Sequence, residues 1–135
     1  MGLDSVRAQA TWASDVLIPS DASLGMPSAT EAGVIDTLLP RALNARPDLS
    51  ESFVEVLRRL PIEEPADGLQ ALRDLGEDEF FLLSHLIAGS YFLNEEVNRR
   101  LKYPGQQALS YEPDYDEIQD VTDRVIARGP VYITP

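Results

Sequence analysis

Glu77-Asp78-Glu79-Phe80-Phe81-Leu82-Leu83-Ser84-His85-Leu86-Ile87-Ala88-Gly89-Ser90-Tyr91 is the stretch that decides the fold. It predicts a helix from about Asp78 to Tyr91, with Glu77-Asp78-Glu79 suited to the positive end of the helix dipole. Phe80, Phe81, Leu82, Leu83, Leu86, Ile87 and Ala88 leave little polar surface on any side. A helix apolar nearly all round is either central to a bundle or covered by a partner. In a chain of 135 residues with 44% hydrophobic content, the central position is the expectation.

Shorter amphipathic helices are predicted around it. Leu3, Val6, Ala10, Ala13 and Leu17 fall at 3-4 spacing, giving a helix over 4–17 that Pro19 and the Ser20-Asp21-Ala22-Ser23 cluster stop. Ser28-Ala29-Thr30-Glu31 reads as a capping box opening a second helix, with Val34, Ile35, Leu38, Leu39, Ala42 and Leu43 inward. Pro40 lies inside that pattern and predicts a kink or break. A third helix to Leu60 buries Phe53, Val56, Leu57 and Leu60. A fourth over 67–75 turns Leu69, Leu72 and Leu75 inward, with Gly76 as its terminating residue. Asn94 caps a sixth, carrying Val97 and Leu101 inward. A last helix over 116–128 has Ile118, Val121, Val125 and Ile126 inward and Gly129 as its stop. The only strand considered is a short one at Val131-Tyr132-Ile133. The expected fold is an all-α bundle of five to seven helices over 1–101. An irregular Tyr/Pro-rich arm over 102–135, with its short terminal helix, is expected to belong to the same domain.

The chain has no cysteine, which excludes disulfides, thiolate zinc sites, iron–sulfur ligation and CxxCH haem attachment. Twenty-three acidic residues against 11 basic give a net charge of −12, a surface that repels phosphate backbones and disfavours nucleic-acid partners. No apolar run approaches the length of a membrane span, and the N-terminus shows no signal-peptide pattern, so a cytoplasmic chain is expected, or a periplasmic one if a leader was removed. No GxGxxG, GxxxxGK[ST] or GxSxG motif occurs. His85, the single histidine, is expected to be a hydrogen-bonded core residue rather than a ligand. Ser84 points about 100° away from it on a helix, which does not make a nucleophile–base pair. Asp114-Tyr115-Asp116-Glu117 with Asp120 and Asp123 lacks the sixth-position glycine of a calcium loop and reads as ordinary surface. No catalytic, cofactor-binding or metal-binding residue is assigned.

Four of the five tyrosines lie beyond residue 100: Tyr103, Tyr111, Tyr115 and Tyr132. Tyrosine is enriched at protein–protein contacts because it offers amphipathic area at low entropy cost. Two readings stand side by side here, a strap of docking anchors and an arm that covers the chain's own core.

Two stretches resemble a known family. Asp15-Val16-Leu17-Ile18-Pro19 with Pro27-Ser28-Ala29-Thr30-Glu31-Ala32-Gly33-Val34 resembles the N-terminal pattern of the gluconate 2-dehydrogenase small-subunit (subunit 3) family. Gly89-Ser90-Tyr91-Phe92-Leu93-Asn94-Glu95-Glu96-Val97, running to Leu101-Lys102-Tyr103-Pro104-Gly105-Gln106, resembles that family's second signature. The resemblance implies a non-catalytic small subunit that binds and stabilises a large FAD-dependent flavoprotein of the glucose–methanol–choline type, acting on sugar, sugar-acid, polyol or glycoside hydroxyls. The flavin and catalytic base then belong to the partner. The absence of a twin-arginine leader and of cysteine departs from many members and favours a cytoplasmic complex. Tyr91, Phe92, Tyr103, Pro104, Gln106, Tyr111 and Tyr115 are the expected partner contacts, with core packing an equal reading for the Tyr91-Phe92 pair. Two other classes stay open: a stand-alone acidic helical adaptor for an unrelated protein, and a small hydrolase or isomerase using a carboxylate pair with His85.

Overall fold

The computed structural model describes residues 2–106, 108 and 112–130. Among them are seven α-helices: α1 (Arg7–Leu17), α2 (Leu39–Ala45), α3 (Pro47–Arg58), α4 (Gly68–Arg73), α5 (Glu77–Tyr91), α6 (Glu95–Arg100) and α7 (Tyr115–Arg128). A 3₁₀ turn at Leu3–Val6 leads into α1. No strand occurs among the described residues, only an isolated bridge between Asp21 and Met26, so the fold is all-α. Val131-Tyr132-Ile133 lies outside the described residues. The chain divides into two compact units, Met1–Gly105 and Gln106–Pro135.

In the first unit α5 packs against α2, α3 and α4, and α1 packs against α3 and α4. Phe53 and Leu57 of α3, Leu39 of α2, Leu72 of α4, Leu83 and Ile87 of α5, and Val97 of α6 are fully buried where these helices meet. The helical stripes read from the sequence supply this core, with three revisions. Leu69 is exposed, since α4 turns Gly68 and Leu72 to the interior, and Leu75 is only half-buried, beyond the end of α4 at Arg73. Leu101 is also exposed, since it falls one residue past the end of α6. Gly76 does not terminate α4; it is the residue on which α5 starts, at φ +119, where a Cβ would lie 2.6 Å from Glu79 Oε2.

The capping box forms, but it closes a turn rather than a continuous helix. Glu31 accepts from the Ser28 amide at 2.8 Å, and the Ser28 hydroxyl accepts from the Glu31 amide at 3.3 Å. Gly33 then turns left-handed (φ +80), and the backbone opens into a π segment, Val34–Leu38. Its wide turn sends the Leu38 amide to the Gly33 carbonyl and the Leu39 amide to that of Val34. The break expected at Pro40 takes this form. Proline has no amide to donate, and its ring crowds the carbonyl four residues back, so widening the preceding turn removes the conflict. Pro40 then sits in the first turn of α2, where its missing donor costs nothing.

Side chains on the outside tie α3 to α5. Arg59 donates to the Glu79 carboxylate at 2.8 Å and to the Leu75 carbonyl at 3.0 Å. The guanidinium's hydrogen bond holds the Glu79 carboxyl below its ordinary value.

In the second unit, Asp114 caps α7 by accepting from the amides of Asp116 and Glu117, and Gly129 (φ +75) stops it. No residue of α7 is buried. Ile118, Val121, Val125 and Ile126 were expected inward and are instead exposed.

Candidate functional site

The loop joining α1 to the π segment has no regular structure, and its position is set by side chains reaching in from elsewhere. Asp21 folds its tip, its carboxylate accepting from the amides of Ser23 and Leu24 and from the Ser23 hydroxyl. The Ser23 hydroxyl, with those amides, draws the Asp21 carboxyl below its ordinary value. Asp15 of α1 accepts from the Thr30 amide at 2.8 Å, and the Ala29 amide donates to the Ile18 carbonyl at 3.0 Å. From the far end of the chain, the Tyr91 hydroxyl donates to the Pro27 carbonyl at 2.8 Å. Asn94 Nδ2 donates to the Ala32 carbonyl, also at 2.8 Å. Arg100 reaches the Gly25 carbonyl. The two stretches that carry the family resemblance are therefore physically joined, the second supplying donors and the first accepting on its backbone.

Asn94 does two things at once. Its Oδ1 accepts from the amides of Glu96 and Val97 at 2.8 and 3.1 Å, starting α6, while its amide nitrogen holds the loop. Of the Tyr91-Phe92 pair, read equally as partner contacts or as core, Tyr91 is a core residue, 4% exposed. Its ring is covered because its hydroxyl spans to Pro27, and burial pushes that hydroxyl's pKa above the ordinary 10.0, with Arg100 opposing and Glu31 adding to the shift.

The remaining expected contacts in the first unit face outward. Phe92 is 51% exposed, its ring meeting the edge of Tyr91 at 5.6 Å between centroids. The Phe92 carbonyl accepts from the Asn98 side chain, and the Asn98 carbonyl accepts from the Tyr103 amide, so Asn98 of α6 is tied both to Phe92 before the helix and to Tyr103 after it. Tyr103 and Pro104 are exposed and line an open depression with Glu95, Asn98, Arg99 and Lys102. Lys102, the only lysine in the chain, stands left-handed (φ 55) as the turn residue after α6. Gln106 and Tyr115, in the second unit, are exposed. Tyr111 and Tyr132 lie outside the described residues.

The outer face of α5 was not singled out by sequence reasoning. His85, expected in the core, is exposed and stacks on Phe81 with ring centroids 5.3 Å apart and planes 17° from parallel. The reason is angular. Phe81, His85, Ala88, Gly89 and Phe92 recur every three to four residues and share one side of the helix, opposite Leu83, Leu86, Ile87 and Ser90. Phe81 is 65% exposed, and nothing lies within 4 Å of a Cβ built on Gly89. The result is an uncharged, largely apolar stripe on a chain of net charge −12. Ser84, beside it, donates to the Phe81 carbonyl at 3.2 Å. Among the described residues, no three His, Asp or Glu side chains are grouped to hold a metal, and no helix is long and apolar enough to cross a membrane.

Comparison with protein-family profiles, with curated proteins and with solved structures gives no match to this chain.

Proposed function

We propose that this chain is a non-catalytic small subunit that binds and stabilises a large FAD-dependent oxidoreductase acting on sugar, glycoside or polyol hydroxyls. The flavin and the reacting groups belong to that partner. The observation that carries the reading is the uncovered stripe on α5. Its Gly89 and Phe92 lie in the segment that resembles the gluconate 2-dehydrogenase small-subunit family, and Tyr103 and Pro104 lie in the same signature. Exposed aromatics set around a small residue are the chemistry of a docking site, where tyrosine and phenylalanine fill pockets and glycine permits close approach. Within the two signatures, half-buried Asp15 and Asn94 and buried Tyr91 hold the loop against the α5–α6 junction by hydrogen bonds.

The test is co-expression with the products of the neighbouring genes, followed by size exclusion with a flavin absorbance scan. The expected result is co-elution with a yellow species of much larger mass. Phe81→Ser/Phe92→Ser and Tyr103→Ala are expected to abolish that co-elution while leaving the helical circular dichroism unchanged. Because Lys102 is the sole lysine, an amine-reactive cross-linker attaches beside Tyr103, apart from the N-terminal amine, and cross-linked flavoprotein peptides map the contact. A colourless monomer that ignores those products overturns the reading and leaves the acidic adaptor in its place.

A further inference from the structure

Gln9 is a polar side chain on the buried face of α1, one turn from the core residues Val6 and Ala13. It is 8% exposed, and its carboxamide makes no hydrogen bond among the described residues. Buried polar groups are almost always paired, and one left without a partner costs stability. Among the described residues, Ser14 Oγ is the one unpaired side-chain atom sealed from the surface. The Gln9 carboxamide is not sealed: it opens into a depression of about 700 Å³ between α1 and the loop that follows α3. Ala8, Trp12 and Ile62 supply the apolar part of its wall, and Asp4 and Glu64 supply carboxylates. The Trp12 indole donates to the Pro61 carbonyl at 3.1 Å, which fixes the wall in advance. Other polar groups of the wall are engaged. The Ser5 hydroxyl donates to the Gly2 carbonyl, the Thr11 hydroxyl to the Arg7 carbonyl, and the Arg7 guanidinium pairs with Asp36. Asp4 comes only within 4.0 Å of Arg7, and Glu64 has no ion pair among the described residues.

We propose that this depression docks a basic peptide segment of a partner protein, in extended form. The N–H and C=O of one residue of the segment pair with the Gln9 carboxamide, arginine or lysine side chains meet Asp4 and Glu64, and an apolar side chain rests on Trp12 and Ile62. The unpaired carboxamide selects a peptide. It offers a donor and an acceptor side by side, and in an extended chain the N–H and C=O of one residue point to the same side, as they do in a β-ladder. The carboxylates select the charge, because they draw cations to a chain whose net charge is −12. That same charge disfavours a second copy as the occupant. The depression is open rather than enclosed, so a segment can enter it and continue beyond it. It uses no residue of the α5 stripe, and the docking holds whether or not the partner is a flavoprotein.

The fluorescence of Trp12, the only tryptophan and part of the wall, reads binding in the full chain. The probe is an amidated octapeptide of alternating arginine and leucine, with the alternating glutamate–leucine peptide as its counterpart. A saturable change with the first and none with the second is the expected result. Gln9→Met keeps the buried stem and removes the carboxamide, so affinity is expected to fall at least about tenfold while the Tm of the free chain holds or rises. Asp4→Asn/Glu64→Gln is expected to flatten the salt dependence of binding. No response to the basic peptide, or an equal response to both peptides, overturns the inference. An affinity for Gln9→Met within twofold of the parent overturns it in favour of general charge attraction, and a fall in Tm overturns it in favour of a structural Gln9. Each of these outcomes leaves the flavoprotein complex, read by co-elution, where it stands.

Discussion

Replacing Asn94 separates two jobs that one side chain performs. Its Oδ1 takes the amides of Glu96 and Val97, and losing such an N-cap costs about 1 kcal/mol. Its Nδ2 bonds to the carbonyl of Ala32, a buried residue, and stranding that acceptor costs roughly another 1–2 kcal/mol. Asn94→Ala is therefore expected to lose about 2–3 kcal/mol, or ~10 °C in Tm at roughly 4 °C per kcal/mol for a chain of this length. Asn94→Asp keeps the capping oxygen and adds a charge the helix start favours, but it turns the donor facing Ala32 into an acceptor, so a loss of about 1–2 kcal/mol is expected. Urea unfolding followed by circular dichroism and by the fluorescence of Trp12, the only tryptophan, reads both values on the first unit. If Asn94→Ala unfolds within about 0.5 kcal/mol of the parent, or Asn94→Asp matches it, the reasoning that this side chain bolts the loop to α6 is wrong.

Lys102→Gly removes a side chain from a left-handed position and is expected to raise stability by about 0.5–1 kcal/mol, where Lys102→Ala gives none of that gain; urea midpoints decide it. Tyr91→Phe keeps the buried ring but frees the Pro27 carbonyl, and thermal melts should show a loss of about 1 kcal/mol with the helical signal intact. Glu79 has a folded-state pKa below its ordinary 4.5, so its pairing with Arg59 stabilises fully above that value and the contribution is lost as pH falls through the folded pKa. The stability gap between the parent and Glu79→Gln should therefore hold at neutral pH and narrow as pH falls below the ordinary 4.5; a gap that widens on acidification removes the ion pair as its cause.

The periodicity of the chain carried most of the fold because it depends only on which apolar residues share a face. Val6, Ala10 and Ala13, then Phe53, Val56 and Leu57, and finally Leu83, Leu86 and Ile87 all lie where their spacing put them. The caps at Asn94 and between Ser28 and Glu31 were equally legible, being local hydrogen bonds. Whether an apolar face is covered is a different matter, since cover comes from residues distant in sequence. For that reason α5 could be read as apolar all round while the exposure of Phe81 and His85 could not. The same reason applies to Ile118, Val121, Val125 and Ile126 of α7, expected inward and found exposed. Trp12 escaped notice because it lies off the main stripe of α1. It is buried nonetheless, and its indole donates to the Pro61 carbonyl at 3.1 Å. The one usable signal was that a tryptophan stood next to a buried stripe, and tryptophan seldom leaves its ring in water.

Five of the long-range polar ties of the first unit share a grammar. Trp12, Arg59, Tyr91, Asn94 and Arg100 each donate from a side chain to the backbone carbonyl of a residue in another part of the chain: Pro61, Leu75, Pro27, Ala32 and Gly25. A carbonyl is present whatever the residue that bears it. The receiving loops are therefore free to change their side chains while the donors stay put. Over evolutionary time such a scaffold can drift far in identity while keeping its shape, and its lineage survives as a sparse spacing of donor residues rather than as conserved runs.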